Sequence, residues 1–254
     1  NPDGPILGGA IPGDREGPMF TGFTGETVDF MWGIRFNNER DWFEAHKQIY
    51  LEHFYHPMRE LGDEVYAYLR EERPDCGLIR KVTRIYRDAR RLHGRGPYKD
   101  HLWFSVEQPS EQWTAKPTFW FELAPDGWSC GMGYYLPKPL TMAKLRARIT
   151  RDPETMEKLM RRLEGQEEFG LSVEEYKKPR GAAPSALLEP WYRAKSFSIL
   201  HEDKLTEEIF SRDILERLKQ GFGFLLPFYD YFVTLDGDPD PRDSREPAKQ
   251  EERG

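Results

Sequence analysis

Over residues 102–136 the apolar side chains stop following a helical spacing and begin to alternate, which restricts the chain to folds with a sheet in mid-sequence. Leu102, Phe104 and Val106 alternate with Trp103, Ser105 and Glu107, and Phe119, Phe121 and Leu123 alternate with Thr118, Trp120 and Glu122. Successive side chains of a strand point to opposite faces, so each of these segments buries one face and leaves the other polar. Ala124-Pro125-Asp126-Gly127 reads as a turn. It folds the second strand back onto a third within residues 128–136 as an antiparallel hairpin.

The flanks keep a helical period. Thr24 is expected to cap a short helix through about Ile34, with Phe30, Met31 and Ile34 on its apolar side. Asn37-Asn38 should cap a long amphipathic helix with Phe43, Tyr50, Phe54, Leu61, Val65 and Leu69 on one face, kinked or divided at Pro57. Asp152-Pro153 opens a helix that turns Met156, Leu159, Met160 and Leu163 inward. Ser211 is expected to cap the last helix, with Ile214, Leu218, Leu225, Tyr229 and Phe232 buried. Strands in the middle and helices at both ends predict an α+β class: one domain, residues 19–235, with a central antiparallel sheet packed against N- and C-terminal helices. Residues 1–18 and 236–254, rich in Gly, Pro and Asp and without periodicity, read as disordered tails.

Against a formal net charge of −7, the segment 80–99 (RKVTRIYRDARRLHGRGPYK) is sharply basic. It carries Arg80, Lys81, Arg84, Arg87, Arg90, Arg91, Arg95 and Lys99 against one acid, Asp88. Guanidinium forks suit phosphate or carboxylate because planar donors pair with two oxygens at once. The sequence therefore points to a small anionic ligand, with Asp88 orienting an arginine or acting as a general base. A salt-bridge cluster that ties the loop to acidic helices explains the same residues equally well. A nucleic-acid-binding module using segment 80–99 is the alternative, disfavoured by the acidic balance of the whole chain. A non-catalytic interaction protein using aromatic surface is a third reading.

Other signals are weaker. Gly131-Met132-Gly133 lacks the strand–turn–helix setting of a dinucleotide or P-loop site and suits a bulge or tight sheet packing better. His53 and His56 are spaced for a metal on one helix face, but no third ligand supports them, so neither metal nor cofactor is expected. His46, His93, His101 and His201 are scattered, and no Ser-His-Asp order is present. Of Trp42, Trp103, Trp120, Trp128 and Trp191, most belong to the core and one or two are expected to line a cleft. Cys76 and Cys130 make no disulfide framework and fit a reducing compartment. No apolar run is long enough to span a bilayer, and the N-terminus lacks the pattern of a secretory leader. A soluble, cytoplasmic protein without a membrane partner is expected; its oligomeric state is left open.

Four stretches carry a resemblance over roughly residues 20–235. They are Asn37-Asn38 with Arg40, Trp42-Phe43, Lys47 and Tyr50; Arg87-Asp88 with Arg90 and then Pro97-Tyr98-Lys99; residues 130–137 (CGMGYYLP) with Leu145-Arg146 and Ile149; and Lys195-Ser196-Phe197. In order and spacing the chain resembles the uncharacterised family known as domain of unknown function 2461. Where that family usually has an aromatic residue after the second arginine, this chain has Arg91. The resemblance implies the α+β fold and brings no activity with it. Taking the basic and polar residues of these stretches together, Arg87, Asp88, Arg90, Tyr98, Lys99, Arg146 and Lys195 are expected to converge on one concave surface, with Tyr192-Arg193-Ala194 adding to it.

Overall fold

The computed structural model describes residues 17–88, 90, 92, 94–109 and 116–243. Most of the two expected tails, residues 1–16 and 244–254, and also Ala89, Arg91 and His93, lie outside them. Helix α1 (Gly25–Phe36) starts after Thr24, whose backbone N–H donates to the Thr27 hydroxyl at 3.0 Å. Helix α2 (Arg40–Ile49) passes through a π-helical turn (Tyr50–Tyr55) into α3 (His56–Glu72). Pro57 thus divides the long helix, and the π turn is how it does so. The wider turn bonds the His56 N–H to the Leu51 carbonyl and places Pro57 in the first turn of α3, where a missing N–H costs least. Pro57 offers nothing to the His53 carbonyl four residues back, and the buried Thr27 hydroxyl donates to that oxygen instead.

One correction concerns the start of α2. Its N-cap is Glu39, because the Asn38 side chain is engaged elsewhere: its amide donates to the Tyr98 carbonyl and accepts from the Tyr98 N–H, both at 2.9 Å.

Strands β1 (Ile79–Val82), β2 (Leu102–Glu107), β3 (Thr118–Ala124) and β4 (Gly127–Gly133) follow. Next come α4 (Pro139–Arg151), α5 (Pro153–Glu164), β5 (Gly170–Glu175), α6 (Glu189–Arg193), β6 (Ala194–Asp203) and α7 (Asp213–Val233). The strands form one sheet in the order β1-β2-β3-β4-β6-β5, and every pairing is antiparallel. The fold is α+β, as the alternation implies.

Helices α3 and α7 cover one face of this sheet. Phe104 of β2 lies under Gly62 of α3, and Phe119 of β3 packs on Phe222 and Tyr229 of α7 with ring centroids 5.1 and 4.9 Å apart. Met156, Leu159, Met160 and Leu163 of α5 are buried as their spacing requires, and the Asp152 carboxylate accepts from the Thr155 N–H. At α7 the cap is displaced by one residue: Arg212 is the N-cap, while the Ser211 hydroxyl accepts from the Asp213 N–H at 3.1 Å. Beyond Leu235 the chain stays attached. Asp238 receives two hydrogen bonds of 2.7 Å from the Arg148 guanidinium, and Asp236 pairs with Lys116 at 2.6 Å. Among the described residues, no helix is long and apolar enough to cross a membrane.

Candidate functional site

The other sheet face carries a cleft of about 690 Å³, a size typical of small-molecule sites. Strand register builds it. Thr118, Gly133, Ser198 and Ser172 are neighbours across β3, β4, β6 and β5, giving a floor of small and hydroxyl-bearing residues. Trp103 and Glu122 are paired across β2 and β3, and Trp120, two residues before Glu122, points to the same side. Glu174 and Ser196, paired across β5 and β6, close the far end, where Glu174 is held by Lys195 at 2.6 Å.

Gly131 explains how Trp120 can lie where it does. The two are cross-strand partners, and a Cβ at Gly131 would stand 2.7 Å from the Trp120 ring and 2.4 Å from the Ile199 carbonyl oxygen. Tight sheet packing is therefore what the glycine motif serves. Near the β1 edge the same face is sealed: Ser105 and Glu107 are buried, and Glu107 accepts from Ser105 and from Lys81.

At the Trp103 end stands His101, with 30% of its side chain exposed. Its Nδ1 is 2.9 Å from Asp100 Oδ1, and the other oxygen of Asp100 accepts from Arg35 Nε at 2.6 Å. Arg35 also bridges to Asp126, in the turn between β3 and β4. The bonds from His101 and then Arg35 hold the Asp100 carboxyl well below its usual range, despite partial burial.

None of the seven residues expected to converge lines the cleft. Three sit together on the loop after β1. Arg87 Nε donates to the Tyr98 carbonyl at 2.7 Å, and Lys99 Nζ donates to the Arg84 carbonyl at 2.6 Å. Tyr98 is 4% exposed and stacks on Phe43 at 4.3 Å, so it belongs to the core. Lys99 is half-buried, and burial with the neighbouring Arg87 lowers its pKa while Glu122 of the cleft opposes them.

Asp88 accepts from the backbone N–H of Arg90 at 3.0 Å, a local turn, and the Arg90 side chain is 91% exposed. Arg146 stands away from them on α4, donating to the Ala194 carbonyl, with burial lowering its pKa. Lys195 reaches the cleft only through Glu174. The seven separate because their side chains are spent on different neighbours: Arg87 on the Tyr98 carbonyl, Arg146 on the Ala194 carbonyl and Lys195 on Glu174.

The conspicuous Asn-Asn and Gly-Pro-Tyr-Lys stretches prove to be one structural clasp. A Cβ at Gly96 would fall 2.1 Å from Asn38 Oδ1, so only glycine lets the Asn38 amide bond the Tyr98 backbone. His53 is likewise engaged, with Nδ1 3.1 Å from the Thr24 hydroxyl. Among the described residues, no three His, Cys, Asp or Glu side chains form a metal site.

Sequence reasoning missed His101, Glu122 and Glu174. The available signal was the polar side of the alternating strands, Trp103, Trp120 and Glu122, which faces away from the helices and has to be open or covered by something else. No curated protein matches the chain. The family model described as "Conserved hypothetical protein (DUF2461)" matches residues 26–231, nearly all of the folded region, and the chain belongs to that family.

Proposed function

We propose that this protein binds a small molecule with a flat or polyhydroxylated portion and an anionic group, in the cleft on the open sheet face. The observation that carries this reading is the pair of indoles, Trp103 and Trp120, lining one cleft with a row of hydroxyls. Indole faces stack on planar or C–H-rich ligand faces, and the Thr118, Ser172, Ser196 and Ser198 hydroxyls supply directional partners. Lys99, whose charge interacts with Glu122 of the cleft, and the neighbouring Arg87 are the source of charge for the anion. Neither forms an ion pair with a described residue, and half-burial of Lys99 makes an incoming anion a stronger partner than water-exposed lysines would find. Arg80 and Lys81, already paired with acids, add little to a nucleic-acid surface. The two free thiols, Cys76 and Cys130, favour a reducing, cytoplasmic setting.

Thermal shift and tryptophan fluorescence against nucleotides, sugar phosphates and hydroxy-carboxylates test the reading. A ligand present at a hundred times its Kd should stabilise the fold by about 2.7 kcal/mol. Trp120→Ala and Lys99→Ala should each weaken it, Lys99→Ala by about 2–5 kcal/mol if the charge is desolvated on binding. Unchanged affinity in both variants rules the cleft out. Tight, strongly salt-dependent binding of single-stranded RNA or DNA that is lost in Arg84→Ala would move the function to the 80–99 surface.

A further inference from the structure

The cleft holds one side chain arranged for proton transfer as well as binding. His101 Nδ1 lies 2.9 Å from a carboxylate that Arg35 also bonds, so Nδ1 carries a hydrogen and Nε2 is the remaining nitrogen of an imidazole on the cleft wall. Asp100, only 17% exposed, is fixed from both sides, and Arg35 is itself fixed by Asp126 and by stacking on Trp32 at 4.9 Å. A base oriented by a third group in this way is the recurring arrangement of acid–base catalysis.

We propose that His101 is the general base of the cleft, its Nε2 taking a proton from a hydroxyl group or a water held beside Trp103 and Glu122. This rests on the ligand-binding reading of the same cleft. In a hydrolytic step the O–H bond of the water breaks as its oxygen bonds the electrophilic carbon. The proton goes to Nε2, and the leaving group departs with the electron pair of the bond it loses. The imidazolium then returns the proton to solvent. Asp100 is a positioning residue that selects the tautomer and faces the imidazolium as it forms.

Two measurements on the full chain decide this. Long-range proton–nitrogen NMR of the histidine rings, with His101→Gln identifying the signal, should show neutral His101 protonated at Nδ1. Asp100→Ala should lose that preference and Asp100→Glu should largely restore it. A ring protonated at Nε2 in the parent protein overturns the proposal. Hydrolysis of p-nitrophenyl acetate reads the proton transfer: His101→Gln should lower the protein-dependent rate by at least about 100-fold, the lower end of what a general base contributes. Loss of the exposed histidine in His56→Gln should leave that rate intact. Equal rates in the parent and His101→Gln overturn the base assignment. Failure of the ligand screen with the tautomer and ester results intact would instead remove the binding reading alone.

Discussion

Replacing Thr27 by Val tests the account of how Pro57 is accommodated. Thr27 is fully buried, and its hydroxyl donates its one hydrogen to the His53 carbonyl, accepts the Thr24 N–H at 3.0 Å and stands 3.4 Å from the Thr24 hydroxyl. Valine has nearly the same shape, so no cavity opens and the cost is confined to the groups left without that partner. A buried polar group that loses its partner costs about 1–3 kcal/mol. Thr24 is only partly buried and can recover water, so the total should be about 2–4 kcal/mol. In a chain of this size each kcal/mol moves Tm by about 2–4 °C, so Tm should fall by roughly 4–16 °C.

The second arm is Pro57→Ala, which returns an N–H to the position that bonds the His53 carbonyl in a regular helix. In the Thr27→Val background it should recover about 1 kcal/mol, and in the parent far less, a coupling above roughly 0.5 kcal/mol. Urea unfolding of the four proteins gives all the terms. Thr27→Val within about 0.5 kcal/mol of the parent, or no coupling, would falsify the argument.

Three further outcomes are expected. Gly131→Val should cost at least about 1–3 kcal/mol, because its Cβ meets a backbone carbonyl that cannot yield, and should shift tryptophan emission as Trp120 is displaced; an unchanged spectrum counts against the packing described. Hydrogen bonds from Arg148 hold the Asp238 carboxyl below its ordinary range, so this pair stabilises the fold above the unfolded carboxyl pKa of about 3.9 and loses that contribution as pH falls through the lower folded value. The stability gap between the parent and Arg148→Gln should hold steady above about pH 5 and narrow below about pH 4, and a gap that widens on acidification contradicts the linkage. Arg90→Ala should change stability by less than about 0.5 kcal/mol, since that side chain is in solvent; a large loss of Tm would mean the 80–99 loop depends on it.

Alternation made β2, β3 and β4 legible because one side of each is packed under helices, and a half-buried strand advertises itself. Strand β5 was not legible, since Gly170, Ser172, Glu174 and Glu175 are exposed at the sheet edge and only Leu171 and Val173 turn toward the core. In β6, Phe197 and Ile199 alternate with serines, but the short helix α6 directly before it blurs the start. Helix α4 escaped because Arg146 and Arg148 crowd an apolar face of Met142, Leu145 and Ile149. The site was harder still. Charge density in residues 80–99 drew attention to side chains whose partners, Asp63, Glu107 and the Tyr98 carbonyl, lie far away in sequence or on the backbone. His101 looked like one scattered histidine, because its meaning depends on Arg35, which arrives from the first helix.

The placement of β6 between β4 and β5 has a consequence for how the chain reaches its native state. Strands β2 to β4 follow one another, so their meander joins neighbours in sequence, whereas β6 must travel back across α4, α5, β5 and α6 to pair with β4. Long-separated pairings pay their loop-closure entropy before any contact rewards them, so they form late. The cleft floor is divided along that same line: Thr118 and Gly133 belong to the early meander, Ser198 and Ser172 to the late pair. A chain stalled with only the meander zipped would bury Phe104 against Phe121 and have half a floor. The complete cleft floor would then be the last feature this protein acquires during folding, and the first it loses when β6 detaches.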